Sequence, residues 1–136
     1  MVYQISSTYE IIIYIALLAG SILLHEYAHL FALNRVSPKA HRIKLYWMKD
    51  WSINVGTSQD YEGLTTNQYS AVALSGIVGG LLPLILFACI ESFSVEGIIL
   101  IGLYLVGCRH DIMILQKNYK QNAPKKETTK IEPVKP

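Results

Sequence analysis

At residues 23–30 the chain reads Leu23-Leu24-His25-Glu26-Tyr27-Ala28-His29-Leu30, within an apolar run that begins at Ile11. On a helix, two residues four positions apart lie on the same face, so His25 and His29 can hold one metal ion while Glu26 reaches over the open side of that ion. This His-Glu-x-x-His pattern is typical of zinc hydrolases. It predicts a helix with His25 and His29 as zinc ligands and Glu26 as the catalytic general base.

An ordinary helix without a metal is the alternative interpretation of this stretch. Its flanks are apolar over residues 11–18 and 30–33, so the two histidines and the glutamate are expected at membrane depth. An ionisable side chain at that depth costs roughly 2.5–3.5 kcal/mol even on the lenient insertion scale. Because a bound metal ion would offset this cost, the sequence favours the metal site.

The composition, and the grouping of apolar residues into long segments, predict an α-helical membrane protein. The chain has 136 residues, of which 51% are hydrophobic, and its mean hydropathy is +0.30. Three apolar segments, at about residues 9–35, 67–90 and 95–116, each approach the roughly 20 residues that a helix needs to cross the hydrocarbon core. We therefore expect one membrane-embedded domain over residues 1–116 with three transmembrane helices.

The distribution of lysine and arginine predicts the orientation of these helices. Basic residues cluster in the loop after the first segment and in the tail at 117–136, whereas residues 1–9 and 91–95 have none. By the positive-inside rule the loop and the C-terminal tail are cytoplasmic and the N-terminus is outside. The tail is polar, lysine-rich and without periodicity, so we expect it to be disordered. The net charge of +2 is explained by this topology, and a nucleic-acid partner is not predicted.

A β-hairpin is predicted at about residues 41–57, at the cytoplasmic interface between the first and second helices. Apolar and polar residues alternate on both sides of Lys49-Asp50, as they do in half-buried strands. The hairpin could serve as a membrane-surface anchor, or its free edge could take an extended substrate segment by strand addition. A three-residue loop at 48–50 would put the apolar residues of both strands on one face, pairing Trp47 with Trp51, Leu45 with Ile53 and Ile43 with Val55.

The second apolar segment carries a stripe of small residues, Gly76-x-x-x-Gly80, which allows another helix to approach closely. We expect this stripe to pack against the metal-bearing helix; a homodimer interface is the alternative. Ser75 is expected at the depth of the histidines and is a candidate for stabilising the reacting carbonyl oxygen.

The third segment supplies the remaining ligand candidate. At roughly 1.5 Å per residue, His25 lies about 22 Å from the outer end of the first helix and Asp111 about 24 Å from the outer end of the third. Two histidines and one carboxylate would leave zinc a fourth position for water, as in catalytic sites. His110 competes with Asp111, because neighbours on a helix point about 100° apart and only one can face the metal.

The three motifs together resemble the site-2 protease family of intramembrane zinc metalloproteases: His25-Glu26-Tyr27-Ala28-His29 on the first helix, a Ser-Gly-x-x-Gly-Gly helix next, and Asp111 on the third. The resemblance covers residues 10–116. It implies cleavage of membrane-spanning protein substrates, with His25, His29 and Asp111 on zinc and Glu26 as general base, and it favours Asp111 over His110.

The chain departs from the family pattern around Asp111. Family members usually have an Asn-Pro-x-x-Asp-Gly type of sequence, whereas Arg109-His110-Asp111-Ile112 lacks the asparagine, the proline and the glycine. The family asparagine proposed to steady the reacting carbonyl therefore has no match on this helix. The chain also has no PDZ domain, so substrate selection would rest with an accessory membrane protein or with self-association.

Other functions remain as hypotheses beside the protease. A catalytically inactive zinc-binding scaffold is the main alternative, because of the missing residues around Asp111. A small dimeric membrane protein without metal is a third reading. A membrane di-iron oxygenase would need many more histidines than the four in this chain.

Overall fold

The computed structural model describes residues 8–39, 42–47, 53–91 and 94–122, and this part of the chain is mostly helical. A two-stranded sheet lies between the first and second helices in chain order, followed by a 3-10 helix at Ser58–Tyr61. The other elements, in order, are helix α1 (Thr8–Val36), strands β1 (Leu45–Trp47) and β2 (Ile53–Val55), and helices α2 (Thr66–Ile90), α3 (Val95–Gly107) and α4 (Arg109–Asn122).

Two of these helices, α1 and α2, are long and apolar enough to cross a membrane. The pair α3 and α4 meets the same criterion as a unit, but the two helices are bent by 62° at the break between them. The described chain thus has two or three candidate spans, in agreement with the expectation of a helical membrane protein.

The ends of the helices follow local sequence signals. Helix α1 ends just before Ser37-Pro38, because a residue preceding proline avoids helical backbone angles. Helix α2 begins with a capping box in which the Gln68 amide donates to Thr65 Oγ1 at 3.3 Å and the Thr65 amide donates to Gln68 Oε1 at 2.9 Å. These ends lie within one residue of the predicted ones.

The prediction of one helix over 95–116 is wrong. The chain forms two helices that meet at Cys108, and the second continues to Asn122. Gly107, a poor helix former, precedes the break, and Asp111 then lies in the first turn of α4, where the positive end of the helix dipole favours a carboxylate. Of the tail expected to be disordered, residues 117–122 are therefore helical, and 123–136 lie outside the described residues.

The hairpin pairs in a register two residues away from the predicted one. Leu45 lies opposite Val55, and Trp47 lies opposite Ile53. A shift by two residues keeps every side chain on the same face of the sheet, so the apolar set still points one way. The predicted pairing of Trp47 with Trp51 is wrong, and residues 48–52 lie outside the described part of the chain.

Two buried apolar clusters hold the described elements together. The hairpin cluster joins α1, the hairpin segment and α2 through Leu33, Ile43, Val55 and Val72. The span cluster joins α2 to α3 and the break after it through Leu84, Leu100, Tyr104 and Cys108.

The glycines of α2 face α1, as expected. A Cβ added at Gly79 would collide with the Cβ of Ala28, and one added at Gly76 would collide with the imidazole ring of His29. The close approach of these two helices therefore requires glycine at both positions, and the stripe packs against the histidine-bearing helix.

Candidate metal centre

The helical spacing of four residues brings His25 and His29 together on the buried face of α1. Each residue is 8% exposed, and the two rings are nearly perpendicular, with centroids 4.4 Å apart. Their Nε2 atoms lie 2.9 Å from each other. Both histidines therefore present the same ring nitrogen to one point.

Asp111 reaches the same point from the first turn of α4. Its Oδ2 lies 3.0 Å from His25 Nε2 and 3.3 Å from His29 Nε2. Among the described residues, these three form the group of histidine, cysteine and acidic side chains that could hold a metal ion. The first turn of α4, directly after the bend, thus places the Asp111 carboxylate beside the two histidines of α1.

The distances within this group suit a small tetrahedral ion. Ligand atoms bound to zinc at roughly 2.0–2.1 Å are about 3.3 Å apart in a tetrahedral arrangement. The three distances here are 2.9, 3.0 and 3.3 Å, so the residues fit a metal ion with little adjustment. Three protein ligands leave one position for another molecule.

The proton on His29 can be assigned from its second ring nitrogen. Nδ1 lies 2.8 Å from the carbonyl oxygen of Val72, in the first turns of α2. A carbonyl only accepts hydrogen bonds, so Nδ1 carries a proton and donates it. In the neutral ring Nε2 then presents a lone pair towards the carboxylate of Asp111. Two electron-rich groups facing each other in a buried place are stabilised by a cation between them.

His110, the competing candidate, does not join this group. Its side chain is exposed and lines the cavity in front of the site, whereas its neighbour Asp111 faces the histidines. This agrees with the expectation that only one of two helical neighbours can face the metal.

A cavity of about 390 Å³ opens in front of the three ligand atoms. Glu26 lines it together with His25 and His29, so this acidic residue adjoins the space that a bound molecule would occupy. Part of the cavity wall comes from β2 and the 3-10 helix that follows it. Residues of this wall and of the neighbouring helices include Ile53, Asn54, Val55, Gly56, Thr57, Ser58, Tyr61, Tyr69 and Ile114.

Ser75 and Cys108 do not line this cavity. The Ser75 hydroxyl lies within hydrogen-bond distance of two backbone carbonyls, 2.6 Å from that of Val72 and 3.1 Å from that of Ala28 on α1. It therefore joins the two helices, and a role on the reacting carbonyl has no support from its position. Cys108 is buried with its Sγ 3.7 Å from His25 Nδ1, the nitrogen that points away from the cluster.

Two tyrosines at the site, Tyr61 and Tyr104, were not among the predicted residues. Tyr61 lines the cavity from the 3-10 helix, with its ring centroid 5.4 Å from that of Tyr69. Burial raises the pKa of Tyr61 to about 12, with a further contribution from Tyr69, so its hydroxyl remains a hydrogen-bond donor at neutral pH. No periodicity in the loop marks this residue. Tyr104 did carry a signal, since it is the one hydroxyl in the apolar run 98–107.

Comparison of the chain with models of known protein families, with curated proteins and with solved structures finds no match.

Proposed function

We propose that this chain is an intramembrane zinc metalloprotease of the site-2 type, with His25, His29 and Asp111 as ligands and Glu26 as general base. The observation that supports it is the convergence of two histidine nitrogens and one carboxylate oxygen at the wall of a cavity that Glu26 also lines. A purely structural metal site would be closed by four protein ligands and would have no use for an adjoining carboxylate.

The residues divide the chemistry between them. Zinc, when bound, supplies a Lewis acid that polarises a peptide carbonyl and acidifies water. Glu26 accepts a proton from the water that attacks the carbonyl carbon, and it returns this proton to the departing amine nitrogen as the C–N bond breaks. The net reaction consumes one water and yields one carboxyl and one amino terminus. The cavity wall includes His110, Tyr61 and Asn54, and we expect these residues to contact the substrate.

The proposed topology has three spans, with α3 and α4 forming one bent span, the N-terminus outside and the C-terminus in the cytoplasm. Two observations support it. The bent pair is apolar enough to cross as a unit, and the basic residues concentrate in the loop after α1 and from Lys117 onwards, that is, in the last turns of α4 and beyond it. In this orientation the cavity opens towards the cytoplasmic side, where hydrolytic water is available.

The proposed substrate is a membrane-spanning or membrane-associated protein, cleaved near the cytoplasmic face. A helical substrate has to unwind before its peptide bonds are accessible, and an extended segment can pair with a free strand edge. Strand β2 pairs with β1 along one edge in the described sheet, and residues 53–55 line the cavity. A second copy of the chain or an accessory membrane protein would help to select the substrate.

The ligand set is tested by the zinc content of the detergent-purified full chain. We expect about one zinc per wild-type chain, which is lost in His25→Ala, His29→Ala and Asp111→Ala. His110→Ala is the matched control, because this neighbour of Asp111 lies outside the cluster, and it should keep its zinc. Absence of zinc from folded wild-type protein would refute the metal site.

Catalysis is tested with Glu26→Gln, which keeps the shape of the side chain and removes its basicity. New N-termini within or beside transmembrane segments of cellular proteins should appear with the wild type and disappear with Glu26→Gln, while both proteins hold zinc. Identical N-termini in both would favour the inactive zinc-binding scaffold, which the missing family residues around Asp111 also suggest.

A further inference from the structure

The hydroxyl of Tyr104 contacts Nδ1 of His25, whereas the other ring nitrogen, Nε2, faces His29 and Asp111. Tyr104 belongs to α3 and to the span cluster, and it is 3% exposed. Its Oη lies 2.8 Å from His25 Nδ1, and it also lies 3.0 Å from the carbonyl oxygen of Gly76 and 3.1 Å from that of Ile77. One hydroxyl therefore connects three helices at the candidate metal centre.

The direction of these hydrogen bonds follows from the partners. Both carbonyl oxygens on α2 can only accept, and a tyrosine has a single hydroxyl proton. That proton is directed to the α2 carbonyls, so Oη has its lone pairs left for His25. The bond between them is then donated by His25 Nδ1–H, and the lone pair of the neutral ring is on Nε2, which faces Asp111 and His29.

We propose that Tyr104 is a positioning residue, which fixes His25 in the tautomer and ring orientation that bind the metal. The inference rests on the proposed metal centre and adds the residue that orients one of its ligands. Histidine ligands almost always donate their other ring N–H to a fixed acceptor, which sets the tautomer and raises the basicity of the ligand nitrogen. The Tyr104 ring also contacts the His25 ring edge to face, with centroids 5.9 Å apart.

Gly80 accommodates this arrangement. A Cβ at position 80 would collide with the Tyr104 hydroxyl and the Ser21 carbonyl oxygen. The two glycines of the Gly76-x-x-x-Gly80 stripe therefore leave room for the ring of one ligand, His29, and for the hydroxyl that orients the other, His25.

The test is the zinc affinity of the full chain in detergent, measured by competition with a chromophoric chelator. Tyr104→Phe removes the hydroxyl and leaves the ring, so Nδ1–H of His25 loses its oxygen acceptor and keeps only the weak acceptor Cys108 Sγ, at 3.7 Å. We expect zinc binding to weaken by about 10- to 100-fold, the usual effect of losing such a partner. Tyr14→Phe is the matched control, because its ring packs on Phe87, away from the centre, and it should bind zinc like the wild type.

Cobalt substitution separates orientation of the ligand from a general packing role. At saturating Co²⁺, a misoriented His25 should change the visible absorption of the ion in Tyr104→Phe and leave that of Tyr14→Phe unchanged. Wild-type zinc affinity and cobalt spectrum in Tyr104→Phe would overturn the inference. If Tyr104→Phe does not fold, ¹⁵N NMR of the His25 ring in the zinc-free wild type decides instead: a protonated Nδ1 supports the inference, and a protonated Nε2 overturns it.

The failures of the two proposals are distinguishable. Wild-type protein that binds no zinc refutes both the ligand set and the role of Tyr104. Protein that binds zinc with the expected dependence on Tyr104 but cleaves nothing refutes only the protease.

Discussion

The hairpin cluster and the span cluster each hold one of the two histidines, and they do so by different means. In the hairpin cluster the partner of His29 is the backbone carbonyl of Val72. In the span cluster the partner of His25 is the side-chain hydroxyl of Tyr104. A backbone carbonyl is present with any residue at position 72, whereas the hydroxyl depends on the identity of residue 104. Substitutions in the two clusters should therefore affect the centre differently.

Gly76→Ala should have the largest effect on the centre. The added methyl group would occupy the place of the His29 ring, and the ring cannot move aside without breaking its bond to the Val72 carbonyl. We expect the zinc content to fall from about one per chain to near zero. Gly102→Ala is the control and should keep its zinc, because a Cβ there meets nothing within 4 Å. A Gly76→Ala protein that still binds zinc would contradict the packing of Gly76 against His29.

Leu33→Ala and Leu84→Ala compare the clusters with identical chemistry, because both side chains are fully buried. Each should lower the free energy of unfolding by about 2–5 kcal/mol, measured by denaturant titration in mixed micelles. Only Leu84→Ala should also weaken zinc binding, since the cavity it leaves adjoins Tyr104 in the same cluster. Equal effects of the two variants on zinc affinity would remove the distinction between backbone and side-chain support.

Val72→Ala should have a smaller effect. It removes buried methyl groups but keeps the carbonyl that accepts from His29, so we expect a loss of about 1–3 kcal/mol of stability and nearly unchanged zinc affinity. Chelator competition and unfolding, carried out on the same preparation, measure both quantities. A large drop in zinc affinity would show that the side chain at 72, and not its carbonyl, supports the ligand.

Tyr61, at the edge of the hairpin cluster, should give the smallest effect and only at high pH. Because burial raises its pKa from 10.0 to about 12, the unfolded chain releases this proton before the folded chain does. The contribution of Tyr61 to stability should therefore be constant below pH 10 and fall as the pH rises from 10 to about 12. The difference in phenolate absorbance between the wild type and Tyr61→Phe measures the titration, and a midpoint near 10 would contradict its burial.

Local patterns predicted much of this architecture. The lengths of the apolar segments predicted the adjoining ends of the first two helices to within one residue, and a proline after α1 and a capping box at Thr65 explain those ends. The four-residue spacing of the histidines and the matching depth of Asp111 gave the group that the structure brings together. Each of these signals is contained in a short stretch or in a count along a helix.

The remaining features depend on contacts between distant segments. The hairpin register shifts by two residues without changing which side chains face inwards, so alternation could not decide it. The break at Cys108 divides a segment that is apolar enough as a whole to cross the membrane, and hydropathy averaged over that segment does not reveal it. The role of Tyr104 depends on carbonyls of α2 that lie 27 and 28 positions away in sequence.

A metal ion bound by both His29 of α1 and Asp111 of α4 would also act as a cross-link between these helices. His29 and Asp111 are 82 positions apart, and the chain between them contains the hairpin, α2 and α3. Both cysteines are free, so no disulfide closes this loop. An ion shared by α1 and α4 would fasten the bent end of the bundle to its first helix, and its binding energy would count towards folding. Removal of such an ion would then loosen α4 as well as abolish the proposed hydrolysis.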